Sequence, residues 1–240
     1  MEDWQDAMGR MFLAHHRGQE AEEIIERDDK YITLGSASAY FIPFEEWAPH
    51  QRKADRLVRG RVLDVGCGAG RHVLHFQSRG LDAVGIDLSP LAIKVCKERG
   101  VKDVREMSIT GIGPGLGQFD TITMLGNNFG LCANYRRAKW LLKRFHRITP
   151  DTGRIIAETL DPYDTTDPCH LTYQKRNRRR GRMGGQIRFR MRFREYVGSW
   201  LDYLFVSRAE MTDILKGTGW RLVRTIDSKG PVYIAVIEKD

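Results

Sequence analysis

The feature that most constrains this chain is a glycine-rich stretch at residues 62–72, with the sequence VLDVGCGAGRH. Residues 62–65 are mostly aliphatic, as in a buried strand, and apolar residues at 73, 74 and 76 then follow with helical spacing. Glycine adopts positive φ angles and lets a ligand approach the backbone, and the start of a helix presents free N–H groups. This order of strand, glycine turn and helix predicts a nucleotide site in an α/β sheet.

The spacing of the glycines distinguishes two kinds of nucleotide site. A dinucleotide-binding loop has the pattern G-x-G-x-x-G, which from Gly66 requires a third glycine at position 71. Position 71 is arginine, so this pattern is not met. The observed pattern, D-x-G-x-G-x-G from Asp64 to Gly70, resembles motif I of the class I S-adenosylmethionine-dependent methyltransferases.

A second segment strengthens this resemblance. Residues 85–90 have the sequence GIDLSP, which is similar to the family's acidic residue at the end of strand 2. In the family that carboxylate accepts hydrogen bonds from the ribose hydroxyls, a role that falls here to Asp87. A helix cap is the alternative role for Asp87, but Ser89 followed by Pro90 already supplies a cap. The resemblance implies S-adenosylmethionine as the cofactor and methyl transfer as the activity.

The periodicity of the remaining chain fits the fold that the resemblance implies. Strands alternate with helices, which predicts a parallel sheet with right-handed crossovers. We expect an α/β fold with a seven-stranded, mostly parallel, doubly wound sheet and an antiparallel last strand. The resemblance covers residues 58–160 and 207–240. The predicted strands are 83–86, 103–107, 119–125, 153–160, 220–226 and 231–237, and the predicted helices are 46–58, 89–99, 134–147 and 207–217.

Residues 1–57 precede the expected sheet and are predicted to form a helical and aromatic lid. Helical structure with breaks near Gly9 and Gly18 is expected over residues 3–27, and residues 31–47 are rich in tyrosine, phenylalanine and tryptophan. One interpretation is a cap that packs on the domain. The other is a cover over the methyl donor, whose sulfonium cation gains about 0.5–2 kcal/mol from each aromatic face. The two interpretations are compatible.

Residues 161–206 are an insertion after strand 5, predicted to be a small, basic, antiparallel sheet. Of 39 lysines and arginines in the chain, ten lie in residues 171–194, where no acid occurs; the other 29 face 31 acids. Residues 186–196 alternate apolar and arginine side chains, as a half-buried strand does, and 171–175 and 200–206 are its candidate partners. The arginines could bind RNA phosphates, bind an acidic metabolite, or protect a sheet edge.

The resemblance also implies site residues. Many members have an aspartate after strand 3 that binds the adenine; here Met107 and Ser108 stand near that place, although a plain core methionine is an alternative. Asn127 and Asn128 either hold the amino-acid end of the donor and orient the methyl acceptor, or form a polar turn. The expected cofactor-binding residues are Asp64, Gly66, Cys67, Gly68, Gly70, Asp87, Leu88, Met107, Ser108, Leu125, Gly126 and Asn127. The candidates on the side of the methyl acceptor are Tyr31, Tyr40, Asn128, Phe129, Asp161, Tyr163 and Arg190.

Methyl transfer from an activated donor needs positioning more than acid–base chemistry, so no motif names a catalytic residue. A small-molecule methyl acceptor is the preferred interpretation, and RNA or a non-catalytic S-adenosylmethionine-binding module are alternatives. The four cysteines are scattered without a C-x-x-C motif, which indicates reduced thiols in a cytoplasm and no metal site. We expect no membrane span, and the sequence leaves the oligomeric state open.

Overall fold

The structure is a computed structural model that describes residues 5–240. Its strands are β1 (Glu22–Arg27), β2 (Ile32–Ser36), β3 (Val62–Val65), β4 (Ala83–Asp87), β5 (Asp103–Glu106), β6 (Thr121–Met124), β7 (Arg154–Leu160), β8 (Gln186–Phe193), β9 (Tyr196–Val197), β10 (Leu201–Leu204), β11 (Trp220–Asp227) and β12 (Val232–Lys239). Its α-helices are α1 (Ala7–His16), α2 (Pro49–Asp55), α3 (Arg71–Ser78), α4 (Pro90–Glu98), α5 (Tyr135–Arg147), α6 (Pro168–Arg179) and α7 (Arg208–Leu215).

The larger sheet has seven strands in the order β11-β12-β7-β6-β3-β4-β5. The pairs β4–β5 and β6–β7 are parallel, whereas β12 runs antiparallel to both β7 and β11. Every residue of β3 and β6 is buried, as expected for central strands of a sheet covered on both faces. The predicted class I α/β fold, with its seven-stranded and mostly parallel sheet, is confirmed.

Local sequence signals place the helices correctly in the regions that the resemblance covers. Ser89 caps α4 by accepting a hydrogen bond from Ala92 N, and Asn134 caps α5 in the same way. At α7, Ser207 and Glu210 form the reciprocal capping box. Ser89 is the cap that the sequence predicted, and the other two caps lie at the starts of the predicted helices 134–147 and 207–217.

The helix expected over residues 3–27 is wrong in its second half. α1 ends at His16, and Glu22–Arg27 is instead strand β1, paired antiparallel with β2. Gly18 has φ +75°, which ends the helical path, and β8 supplies a pairing partner from far along the chain. Gly9 does not break the helix: a Cβ there would lie 2.3 Å from Ser89 Oγ. Residues 3 and 4 lie outside the described part.

The insertion is also different from the prediction. Residues 171–175 belong to helix α6, not to a strand, because Asp167 accepts a hydrogen bond from Cys169 N as the N-cap and Pro168 occupies the first turn. The alternating arginine segment does form strand β8, but it pairs with β1 of the N-terminal segment. The resulting second sheet has the order β10-β8-β1-β2, with β9 on β8. The N-terminal segment is therefore part helix and part sheet.

The chain divides into two compact units. The first contains the described residues up to Trp47, Leu63–Gly111 and Arg188–Leu201; the second contains Ala48–Val62, Ile112–Ile187 and Asp202–Asp240. The first unit has a hydrophobic cluster in which Phe12 of α1 and Phe193 of β8 are buried. Within residues 5–240, no helix combines the length and the apolar character needed to cross a bilayer.

Candidate functional site

The glycine loop between β3 and α3 is tied to the end of β4. Gly66 N and Cys67 N both donate to Ile86 O, at 2.9 and 3.0 Å. Gly66, Gly68 and Gly70 have φ angles of +75°, +54° and +81°, a region that other residues avoid. Gly68 N donates to Asp87 Oδ2 at 2.9 Å. The structure therefore brings the two sequence signatures into direct contact.

Asp87 is the acidic residue at the end of β4, and its two oxygens each accept one backbone hydrogen bond. Oδ2 accepts from Gly68 N, and Oδ1 accepts from Ser89 N at 3.0 Å. Burial raises the pKa of the Asp87 carboxyl, and these backbone hydrogen bonds partly oppose that rise. Because a carboxylate oxygen accepts two hydrogen bonds, each oxygen keeps capacity for a ligand hydroxyl.

Asp6, which the sequence analysis did not identify, secures this region from the N-terminal side. Its Oδ1 accepts from Gly9 N at 2.9 Å and thereby caps α1. Its Oδ2 accepts from Ser89 Oγ at 2.7 Å and from Leu91 N at 3.2 Å. The side chain is buried, so α1 is fastened to the start of α4. An aspartate just before a helix signals a cap, but its contact with Ser89 has no local signal.

Met107 and Ser108, expected around an adenine, directly follow the next strand, β5. Met107 N donates to Asp87 O at 2.8 Å, so Met107 is adjacent to the acidic residue. Ser108 Oγ is 2.8 Å from Thr110 Oγ1, so it forms part of a short turn. Leu88 is a large apolar side chain that is 46% exposed directly after Asp87. The structure therefore groups Asp87, Leu88 and Met107 in the first unit.

Two aromatic side chains face the central glycine of the loop. A Cβ built on Gly68 would lie 3.5 Å from the Phe12 ring and 4.0 Å from Tyr40. The two rings pack against each other with centroids 4.9 Å apart. Tyr40 also donates from its hydroxyl to Glu23, whose pKa is raised by burial. Tyr31 lies at the opposite end of the β1–β2 hairpin, against Arg27, so these two tyrosines are separated.

Other residues of motif I are buried behind the loop. Asp64 is 1% exposed, with its Oδ2 3.9 Å from His72 Nδ1. Burial holds the pKa of His72 well below its ordinary value, so this imidazole is neutral. Cys96 Sγ contacts Gly68 O at 3.1 Å, and a hydrogen bond with Cys96, together with burial, raises the pKa of Cys67. Asp64 and Cys67 therefore support the loop from inside.

In the second unit, a buried carboxylate organises the loop after β6. Glu158 of β7 is 4% exposed, and its Oε2 accepts from Gln51 Nε2 at 2.7 Å and from Gly126 N at 2.8 Å. His50 Nε2 lies 3.5 Å from Oε1 of the same carboxylate. No local pattern in the sequence marks Glu158, Gln51 or His50, because they meet through contacts between α2 and β7.

Asn127 follows Gly126 and has the left-handed conformation, with φ +65°. Its backbone carbonyl accepts from Tyr203 Oη at 2.8 Å, which holds the loop from a second direction. The side-chain Oδ1 is buried and has no hydrogen-bond partner within residues 5–240. A buried amide oxygen without a partner is costly, so a ligand N–H or O–H would satisfy it. This geometry fits both predicted roles of Asn127, a polar turn in the left-handed conformation and a ligand contact.

Most of the remaining candidate side chains are hydrogen-bonded to other residues of the protein or packed in its core. Asp161 Oδ1 accepts from Tyr163 N at 3.0 Å, and the Tyr163 hydroxyl donates to Glu210. Arg190 binds Glu26 through Nε at 2.9 Å and Nη2 at 3.1 Å. Leu125 and Phe129 are 2% and 1% exposed, so both contribute to the core. Asn128 begins a 3₁₀ turn that ends at Cys132 and is half-buried.

Comparison with known proteins agrees with this geometry. Residues 62–153 match the family described as "Methyltransferase domain". The chain is 32% identical over 111 residues to a magnesium-protoporphyrin O-methyltransferase from Rhodobacter capsulatus. The aligned part covers 45% of this chain and 42% of that protein. The chain is 39% identical over 79 residues to a ubiquinone biosynthesis O-methyltransferase from Dechloromonas aromatica, and this alignment covers 30% of this chain and 34% of that protein. The chain thus spans less than half the length of these curated relatives.

Structural similarity extends over the whole chain. A methyltransferase from Bacteroides fragilis, solved in complex with S-adenosyl-L-homocysteine, superimposes with a TM-score of 0.85. That match covers 100% of this chain and 97% of the other at 24% sequence identity, and it establishes the fold. The chain therefore has the class I methyltransferase fold, and its residues 62–153, which include both sequence signatures, match a methyltransferase domain.

Proposed function

We propose that this protein transfers the methyl group of S-adenosylmethionine to a small molecule. The observation that carries the proposal is the contact between Gly68 N and Asp87 Oδ2, which joins the glycine loop to an acidic residue at the end of the neighbouring strand. The chain's match to a methyltransferase domain supports the same reaction. When bound, the cofactor would supply an activated methyl group on a sulfonium centre.

The residues of the first unit fit such a cofactor. Gly66, Gly68 and Gly70 form a loop without side chains, where a ligand can approach the backbone. Asp87 has capacity to accept hydrogen bonds from two ribose hydroxyls, and Leu88 offers an exposed apolar side chain to a base. Met107 is adjacent to Asp87 and would pack against the same base. We assign Asp64 and Cys67, which are buried behind the loop, to its support.

The N-terminal segment would act as a cover in this proposal. Phe12 and Tyr40 face Gly68, and aromatic faces attract a cation by about 0.5–2 kcal/mol each. Covering the loop also excludes water, which favours transfer to the intended methyl acceptor. The hydrogen bond from Tyr40 to Glu23 and the contacts of Asp6 hold this cover in place. The domain limits 1–57 and 161–206 stay predictions.

A small molecule is the preferred methyl acceptor for two reasons. The names of the curated relatives refer to magnesium-protoporphyrin, a hydroxyquinolone and ubiquinone biosynthesis, all of them small-molecule chemistry. Arg190 and Arg192 on β8 both form ion pairs with Glu26. These two arginines are therefore paired within the protein and do not form a surface that binds RNA phosphates. In the second unit, the buried Asn127 Oδ1 offers a polar contact for a ligand N–H or O–H.

The test is a turnover screen with methyl-labelled S-adenosylmethionine. A metabolite extract and total RNA are offered as separate pools, and label transfer is measured for each. Transfer to the metabolite pool supports the proposal; transfer to RNA alone contradicts the small-molecule assignment. Binding of the donor without transfer to either pool would favour the alternative of a non-catalytic S-adenosylmethionine-binding module. We also propose a cytoplasmic location, supported by the four cysteines, which are all free thiols.

A further inference from the structure

The ten cations in residues 171–194 fall into two groups in the structure. On β8, Arg190 and Arg192 share the carboxylate of Glu26, and the Arg190 guanidinium lies 4.6 Å from the centre of the Trp200 ring. Arg194 donates to Gln19 Oε1 at 3.1 Å. These arginines therefore have partners in the first unit. The other group, on and after helix α6, has a different environment.

One face of α6 lines a surface groove of about 420 Å³. The five lining residues are spaced by three, one, three and one positions, which places them on a single side of the helix: Thr172, Lys175, Arg176, Arg179 and Arg180. Four of the five are cations, and none carries a carboxylate. Lys175, Arg179 and Arg180 form no ion pair with any residue in the described part of the chain. We call this feature the basic groove.

The opposite side of α6 is held against the rest of the second unit, so the helix backbone that carries the basic groove is fixed. Asn177 is 1% exposed, and its Nδ2 donates to Gly184 O at 3.1 Å and to Gln186 O at 2.6 Å. Gln174 Nε2 donates to Pro162 O at 2.5 Å. The guanidinium of Arg176 lies over the ring of the buried Tyr173.

The helix dipole explains only part of this arrangement. Cations are favourable near a helix C-terminus, but the effect fades beyond the last turn, and Lys175 precedes that turn. Like charges at spacings of three and four repel one another, as Lys175 and Arg179 do, and Arg176 and Arg180. A bound polyanion would relieve this repulsion. Arginine is suited to phosphate because its planar fork donates two parallel hydrogen bonds.

We propose that the basic groove binds a small molecule carrying at least two phosphate charges. Thr172 adds a neutral hydroxyl to the four cations that line the groove. Sites for single-stranded RNA usually present aromatic rings on which bases stack, and no aromatic residue lines this groove. The chemistry therefore favours a compact phosphorylated ligand over RNA. This site goes beyond the methyl transfer proposed above and does not depend on it.

The test is calorimetric titration of the full chain with inorganic pyrophosphate at low ionic strength. The double variant Arg179→Gln/Arg180→Gln should weaken binding by about tenfold or more, because two charge-assisted contacts are lost. The matched control Arg221→Gln/Arg224→Gln removes the same charge from exposed positions of β11 and should change affinity by less than about twofold. The affinity of Arg179→Lys/Arg180→Lys for pyrophosphate should lie between those of the groove variant and the control, because the charge remains but the planar guanidinium group is lost.

Three results would overturn the proposal. If the wild-type protein does not bind pyrophosphate, the proposed site does not exist. If the groove variant and the control variant weaken pyrophosphate binding equally, the binding depends on net charge and not on the groove. An RNA oligonucleotide that binds more tightly than pyrophosphate, and loses that binding in the groove variant, would reassign the groove to nucleic acid. Thermal unfolding confirms that each variant is folded. Titration of the same proteins with S-adenosylhomocysteine should give one affinity for all, which separates this site from the proposed cofactor site.

Discussion

Replacement of Asp6 by alanine should destabilise the protein far more than its position near the N-terminus suggests. The carboxylate accepts hydrogen bonds from Gly9 N, Ser89 Oγ and Leu91 N. Loss of the cap on α1 costs about 1 kcal/mol. The two contacts with the start of α4 contribute about 1 kcal/mol each, and more if their donors stay buried without a partner. We therefore expect the free energy of unfolding to fall by about 3 kcal/mol.

Urea denaturation followed by circular dichroism measures this change, with two matched controls. Asp6→Asn keeps one acceptor oxygen and should lose about half as much stability. Asp151→Ala removes a carboxylate whose side chain is fully exposed, 3.9 Å from Lys239, and should cost less than about 0.5 kcal/mol. A loss below about 1 kcal/mol for Asp6→Ala, or equal losses for alanine and asparagine, would refute the role of Asp6 as a fastening between α1 and α4.

Three further perturbations test other parts of the structure. Glu158→Ala leaves the buried Gln51 amide and the Gly126 N–H without their carboxylate and should lower the free energy of unfolding by about 1–3 kcal/mol in urea titrations, whereas a loss under about 0.5 kcal/mol would contradict the network. Gly130→Ala places a Cβ 1.8 Å from the Tyr203 ring and should lower the melting temperature, while Gly115→Ala, with open space, should not. Burial and the hydrogen bond to Glu210 raise the pKa of Tyr163 to about 12, so the free energy of unfolding should fall as pH rises above about 10. If Tyr163→Phe loses stability over the same pH range to the same extent, Tyr163 does not cause this loss.

Much of the fold follows from signals that lie close together in the sequence. Periodicity located the strands of the seven-stranded sheet, and Ser89, Asn134 and Ser207 marked helix starts that the structure contains. The glycine loop and Asp87 are each visible locally, and the fold brings them into contact. These features are predictable because a strand, a cap or a tight turn depends on neighbouring residues.

The failures share one physical cause, which is pairing between distant segments. Glu22–Arg27 has helix-forming glutamates, but β8 offers it a strand partner more than 160 residues away, and Glu26 joins two arginines there. Residues 171–175 alternate like a strand, yet the cap at Asp167 makes them helical. Asp6 and Glu158 act through contacts with segments far along the chain, so no local pattern identifies them. Tertiary context overrides propensity in each case.

The central claim is that the glycine loop and Asp87 together hold S-adenosylmethionine, and calorimetric titration tests it most directly. The wild-type chain should bind S-adenosylmethionine but not NADH, and Asp87→Ala should weaken that binding by about tenfold or more through the loss of charge-assisted hydrogen bonds. Asp82→Ala, which removes an exposed carboxylate just before β4, is the matched control and should bind as the wild type does. Equal affinity in Asp87→Ala and wild type, or tight binding of NADH in place of S-adenosylmethionine, would contradict the account.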